Sequence, residues 1–148
     1  MECCLTEKIS KSEDETIRAG ESFASGLKPG AVIALKGPLG AGKTYFVKGI
    51  ARALKIKEII TSPTYTIINE YAGLLNEKPL LLFHIDAYRL SGDEDFAGTG
   101  AAEFIAGEGI TVIEWSDLIP RSIPENAISV SIEINGPNSR IIKVNGTQ

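Results

Sequence analysis

Apolar residues recur along this chain with two spacings, and the switches between them lay out an alternation of strands and helices. Glu2–Ile9 predicts a first strand. Ser12 then reads as an N-cap with Glu15 three residues on, and Ile17, Phe23, Ala24 and Leu27 share one face of the helix that follows. The Lys28-Pro29-Gly30 turn stops that helix and launches Ala31–Leu35, an unbroken apolar run of the kind a strand shows when both faces are covered. From Lys43 to Leu54, Phe46, Val47, Ile50, Ala51 and Leu54 return every three to four residues, which predicts a second helix. Ser62-Pro63 disfavours helix at the serine, and beyond it Tyr65–Tyr71 is rich in β-branched and aromatic residues. Gly73–Pro79 reads as a connection to a further apolar strand, Leu80–Asp86. Asp93–Gly109 is acidic and small, with Phe96, Phe104 and Ile105 its only large apolar residues, and predicts a loop followed by a short helix. Ile110–Trp115 returns to strand. Ile128, Val130, Ile132 and Ile134 alternate, Ile141 and Val144 follow, and Asn135-Gly136-Pro137-Asn138 between them predicts a terminal hairpin.

Composition narrows the class. At 148 residues and 43% hydrophobic content the chain fits a single domain over residues 1–148. Its longest apolar runs, such as Ala31–Leu35 and Leu80–Phe83, fall far short of the roughly 18 residues of a membrane-spanning helix. The N-terminus carries acids and Lys8 rather than a basic segment and a long apolar stretch, so a cytoplasmic protein with no membrane association is expected. Cys3 and Cys4 are adjacent, which suits neither a disulfide framework nor a zinc knuckle and leaves reduced structural thiols. A net charge of -4 is the wrong balance for gripping nucleic acid directly, so any RNA is reached through a partner.

The chemistry is concentrated in Gly37-Pro38-Leu39-Gly40-Ala41-Gly42-Lys43-Thr44, which matches the pattern GxxxxGK(S/T). Backbone N–H groups of such a loop wrap phosphates, and the helix that follows adds a favourable dipole. Lys43 supplies a point charge to the β- and γ-phosphates, and the Thr44 hydroxyl suits Mg²⁺, whose octahedral shell prefers oxygen. A plain glycine-rich turn with a solvated lysine is the competing account. It is disfavoured because an apolar strand enters the loop and an amphipathic helix leaves it.

Phosphoryl chemistry also needs a carboxylate near the metal at the end of an apolar strand, and Asp86 and Glu114 both qualify. Strand alternation puts His84, Asp86 and Tyr88 on one face and Phe83 and Ile85 on the other. His84 is then either a half-buried hydrogen-bonded side chain or a group that orients Asp86 or a water. Arg89 either contacts phosphate or pairs with Asp86, the second being commoner. Trp115 packs the core or lies beside the nucleotide.

Four ordered segments together carry a resemblance. The GxLGAGKT loop, Thr61-Ser62-Pro63-Thr64-Tyr65-Thr66, His84-Ile85-Asp86-Ala87-Tyr88-Arg89-Leu90 and Ile113-Glu114-Trp115 resemble the signature of the TsaE family, formerly YjeE. They span about residues 31–115, and with the Ser12–Leu27 helix and the terminal hairpin the likeness covers nearly the whole chain. The resemblance implies an α/β, P-loop NTPase-type three-layer fold with a mixed, mainly parallel central sheet and a C-terminal hairpin. It also implies a slow Mg²⁺-dependent ATPase that supports TsaD and TsaB as they transfer threonylcarbamoyl to adenosine 37 of ANN-decoding tRNAs. By position, Thr44 and Glu114 would hold Mg²⁺, Asp86 would orient water or act as base beside the γ-phosphate, and Ser62–Thr66 would form a nucleotide-sensing switch. Lys43 keeps its phosphate role in catalysis. The expected nucleotide contacts are Gly37, Gly40, Ala41, Gly42, Lys43, Thr44 and Tyr45, together with Trp115, Glu13 at the start of the first helix and Arg140 near the C-terminus. Pro38 replaces a frequent acid, and Gly98-Thr99-Gly100 replaces bulkier residues.

Rival classes fit less well. A small-molecule P-loop kinase, the main alternative, carries an arginine-bearing lid, whereas Asp93–Gly109 contains no Lys or Arg. A GTPase needs Asn-Lys-x-Asp, which Asn76-Glu77-Lys78-Pro79 does not supply, and Leu90-Ser91-Gly92 is only the opening of a transporter-ATPase signature. A nucleotide-dependent binding module would share the same loop and differ in turnover alone.

Overall fold

The structure, a computed structural model, describes residues 5–63, 67–105 and 107–146. The thiols Cys3 and Cys4, the opening of the expected first strand, and Thr64–Thr66 of the expected switch lie outside the described residues. Chain order is β1 (Leu5–Ser10), α1 (Glu13–Ala24), β2 (Val32–Lys36), α2 (Lys43–Ala53), β3 (Ile68–Leu75), β4 (Lys78–Asp86), α3 (Asp93–Gly98), α4 (Ala102–Ile105), β5 (Ile110–Glu114), β6 (Ile128–Ile134) and β7 (Arg140–Asn145). Short 3₁₀ turns at Ser116–Leu118 and Pro120–Ser122 lie between β5 and β6.

The strands form one mixed sheet in the order β1-β7-β6-β2-β5-β4-β3. Its centre, β6-β2-β5-β4, is parallel, and antiparallel strands extend it on both sides. β2 is buried on both faces, as its unbroken apolar run requires. Ile33 and Leu35 face α1 and α2, where Phe46, Val47, Ile50, Ala51 and Leu54 complete the larger core. Val32 points the other way and joins Ile85, Ile113, Phe96 and Ile119 in a second core. Helices cover both faces, which makes the three layers.

Local chemistry explains most boundaries. Ser12 caps α1 by accepting from the Glu15 N–H at 3.1 Å, and the Glu15 carboxylate accepts from the Lys11 N–H at 2.5 Å. α1 stops at Ala24, short of Leu27, although Leu27 still buries itself in the larger core. Where α1 crosses α2 the backbones nearly touch: a Cβ on Gly49 would lie 1.9 Å from the Ile17 carbonyl oxygen, and one on Gly20 would lie 2.1 Å from that of Phe46.

Two expectations need revision. The strand read as Tyr65–Tyr71 with a Gly73–Pro79 connection is instead β3, running on to Leu75 and turning through Asn76-Glu77 into β4. Both turn residues have positive φ, 51° and 67°, the geometry of a tight hairpin made here without glycine. Pro79 is tolerated because β4 pairs with β5 only from Leu82 onward, so the proline lies on an overhanging two-stranded ribbon. The acidic stretch does not begin as loop. α3 starts at Asp93, where Asp93, Glu94 and Asp95 complement the helix dipole, and it breaks at Thr99-Gly100 before α4.

Candidate functional site

β2 delivers the chain to Gly37, and α2 begins at Lys43, so the glycine loop lies at the carboxyl edge of the parallel strands. Gly37 is required by proximity, since a Cβ there would fall 2.5 Å from the Ile132 carbonyl oxygen. Gly42 caps α2 in the left-handed region with φ 98°. No side chain caps this end and no acid sits in its first turn, so the first N–H groups and the positive end of the dipole face the loop.

Lys43 is buried, and its Nζ donates to the Gly37 carbonyl at 2.5 Å and the Pro38 carbonyl at 3.1 Å. The same atom lies 4.0 Å from the centroid of the Trp115 ring. Burial pushes the ammonium below the usual lysine range, while Glu114, Asp86 and Asp117 pull it back up. Trp115 reaches this position by a left-handed backbone, φ 59°, at the end of β5. Of the two sequence expectations it meets the first, because the ring packs on the second core and tilts against Tyr88.

The sheet register sets the carboxylates. Leu35 on β2 lies opposite Glu114 on β5, which lies opposite Asp86 on β4. Alternation aims His84, Asp86 and Glu114 toward the face that α2 covers, the side of Leu82 and Val112. Glu114 is 2% exposed and His84 wholly buried, and the His84 Nε2 donates to the Glu114 Oε2. His84 is thus deeper than the half-buried position expected of it, and its partner is Glu114 rather than Asp86. Asp86 is half-buried and accepts from the Tyr88 N–H at 2.9 Å. Burial pushes its carboxyl above the usual carboxylate range; the Tyr88 N–H opposes this, Glu114 adds to it, and His84 and Lys43 oppose it. Arg89 is exposed and forms no ion pair with Asp86 among the described residues.

Thr44, in the first turn of α2, shares a 2.8 Å hydrogen bond between its Oγ1 and the Ser62 Oγ. The described part of the expected switch, Ser62–Pro63, therefore touches the loop. On the loop's outer side a cleft of about 170 Å³ opens between Ser12, Glu13, Gly40, Tyr45, Asn138 and Arg140. A side-chain hydrogen bond links Tyr45 to Glu13 and is the main reason the tyrosine hydroxyl is held above its usual range. Arg140 Nη2 donates to the Gly40 carbonyl at 3.1 Å, tying β7 to the loop. Glu13 and Arg140, more than a hundred positions apart, so border one cavity with Gly40.

Among the described residues no three His, Cys, Asp or Glu side chains converge on a point. A hydroxyl and one buried carboxylate suit Mg²⁺, which takes few protein ligands and fills its shell with phosphate and water oxygens. Sequence reading passed over Asp117, whose charge Lys43 feels; the available signal was an acid three residues beyond Glu114 in the turn that follows β5.

A strand, a glycine loop and an uncapped helix end, flanked by parallel strands tipped with carboxylates, define a P-loop α/β protein. The family model described as "Threonylcarbamoyl adenosine biosynthesis protein TsaE" matches residues 10–142. The chain belongs to the TsaE family. The tRNA threonylcarbamoyladenosine biosynthesis protein TsaE of Treponema pallidum is 41% identical over 136 residues, covering 92% of this chain and 97% of that protein. The protein of the same name from Aquifex aeolicus is 43% identical over 142 residues, 95% of this chain and 96% of its own. The crystal structure of Bacillus subtilis YdiB superposes with a TM-score of 0.80 at 31% identity, covering 100% of this chain and 89% of that one. Among the described residues no helix is long and apolar enough to cross a membrane.

Proposed function

We propose that this chain binds ATP with Mg²⁺ at Gly37–Thr44 and hydrolyses it slowly, in the cytoplasm, to support tRNA threonylcarbamoyladenosine formation by TsaD and TsaB. The observation that carries the reading is the approach of Lys43 to Glu114 and Asp86 at the carboxyl ends of neighbouring parallel strands, beside an uncapped helix N-terminus. Each group has a task. The loop amides of Gly40, Ala41 and Gly42 take phosphate oxygens, and the Lys43 ammonium leaves the Gly37 and Pro38 carbonyls for the β- and γ-phosphates. Thr44 Oγ1 and the Glu114 carboxylate would hold Mg²⁺, which would supply positive charge to offset that of the phosphate oxygens. Asp86, half-buried and with its carboxyl raised, orients the attacking water and accepts its proton. Glu13, Tyr45, Trp115 and Arg140 surround the remainder of the nucleotide. Because the chain is acidic overall, tRNA is met through the partner proteins rather than by this surface.

The test mixes the chain with TsaD, TsaB, tRNA, Mg²⁺-ATP and an activated threonylcarbamoyl donor, and measures ATP hydrolysis and modified adenosine together. Both should rise above mixtures that omit the chain. Equal modification without the chain, or with the Lys43→Ala protein in its place, would overturn the reading.

A further inference from the structure

Burying a carboxylate leaves it in need of a donor, and Glu114 finds one in His84, on the neighbouring strand two residues before Asp86. We infer that His84 is the positioning residue for Glu114, fixing the carboxylate so that its other oxygen is presented to Mg²⁺. The inference rests on the metal role given to Glu114 above.

Three observations carry it. First, the contact is atom-specific: His84 Nε2 meets Glu114 Oε2, so one carboxylate oxygen is engaged by the ring and Oε1 is left for another partner. Second, nothing else competes for the ring, since among the described residues His84 Nδ1 has no hydrogen-bond partner. A histidine kept only to satisfy a core would use both nitrogens; this one spends a buried polar atom while serving a single acceptor. Third, the register fixes the pair. His84 stands opposite Val112, two residues before the Asp86–Glu114 pair, so the ring lies beneath both carboxylates and supports Glu114 from the core side. A glutamate has three rotatable bonds and would otherwise have to be ordered each time the metal binds. Groups that orient a metal ligand in this way alter metal affinity while leaving ligands that do not contact the metal largely alone.

The experiment compares ADP affinity by calorimetry in Mg²⁺ and in EDTA for the unaltered protein, His84→Phe and His84→Gln. The ratio of the two affinities is the magnesium increment. His84→Phe keeps the ring volume and removes both nitrogens, so the increment should fall about tenfold with the EDTA affinity unchanged. His84→Gln keeps an N–H within reach of Glu114 and should hold the increment within about threefold of the original. An unchanged increment in His84→Phe, or equal losses with and without metal, overturns the inference. A second measurement needs no variant. His84 is the only histidine in the chain, so its imidazole ¹⁵N signals are assigned by inspection. They should move when Mg²⁺ is added to the ADP complex and stay in place when ADP is added in EDTA; signals indifferent to Mg²⁺ overturn the inference even if neither variant folds. Failure of the underlying reading looks different, because Glu114→Ala would then keep the magnesium increment of the unaltered protein.

Discussion

Lys43 rests its ammonium 4.0 Å from the centre of the Trp115 ring while donating to two carbonyls of its own loop. The lysine that should reach phosphate is thus held at the site's edge by a cation–π contact and two hydrogen bonds, all of which a triphosphate would replace. Trp115 is the chain's only tryptophan, so its emission reports this exchange directly. Saturating ATP should change the emission, and Lys43→Ala should differ from the unaltered protein before any nucleotide is added. Identical emission with and without bound ATP would mean that the ammonium never leaves the ring.

Glu114→Ala should weaken ATP binding about tenfold or more in Mg²⁺ while leaving metal-free ADP binding nearly intact, read by calorimetry. The substitution also strands the buried His84 N–H, so urea unfolding should show a loss of roughly 1–3 kcal/mol. Equal losses for the two nucleotides would assign Glu114 a structural role only.

Asp86 gives a pH-dependent prediction. The fold holds its carboxyl above the unfolded value, chiefly through burial. A group raised in this way contributes its full stability below the unfolded value, about pH 4, and loses it as pH rises through the folded one. Asp86→Asn stays neutral throughout and can still accept from the Tyr88 N–H. Its melting temperature should therefore exceed that of the unaltered protein at pH 7 and converge with it near pH 4, while ATP turnover falls. A variant less stable at pH 7 than at pH 4, relative to the unaltered protein, contradicts the assignment.

The α1–α2 crossing sets a steric prediction. Alanine normally favours a helix interior over glycine by up to about 1 kcal/mol, yet a methyl at Gly49 collides with the Ile17 carbonyl and has backbone, not a flexible side chain, to displace. Overpacking wins, and Gly49→Ala should cost about 2–3 kcal/mol in chemical unfolding. Gly98→Ala, with nothing within 4 Å of the new Cβ, is the control and should be neutral or slightly stabilising.

Much of this architecture was legible because strong local signals agreed with one another. The Ser12 cap, the apolar run of β2 and the Phe46–Leu54 stripe each had a single good solution, and the glycine loop lay between two of them. The β3–β4 turn was hidden because Asn76-Glu77 takes positive φ without glycine, and because Pro79 reads as a strand breaker until the overhang is known. The lid-like segment misled through its small residues, while the stabilisation of α3 came from acids at its first turn and from Ser122, whose hydroxyl donates to Asp93 at 2.7 Å. Alternation put His84 and Asp86 on the correct face. It could not show that His84 reaches across to Glu114, since that depends on the register between β4 and β5, and parallel register is set by the whole sheet rather than by either strand. The grouping of Glu13, Tyr45 and Arg140 came only from the family resemblance and not from periodicity, for the same reason: β7 must come round to the loop before Arg140 can meet Gly40.

The central claim is that Gly37–Thr44 receives a triphosphate, and calorimetric titration of ATP with Mg²⁺ into the purified chain tests it most directly. One saturable site is expected, with affinity reduced at least about a hundredfold in Lys43→Ala, as befits loss of a charge-assisted contact in a partly buried site. Heat of binding that is absent from the unaltered protein, or unchanged by Lys43→Ala, would contradict the account.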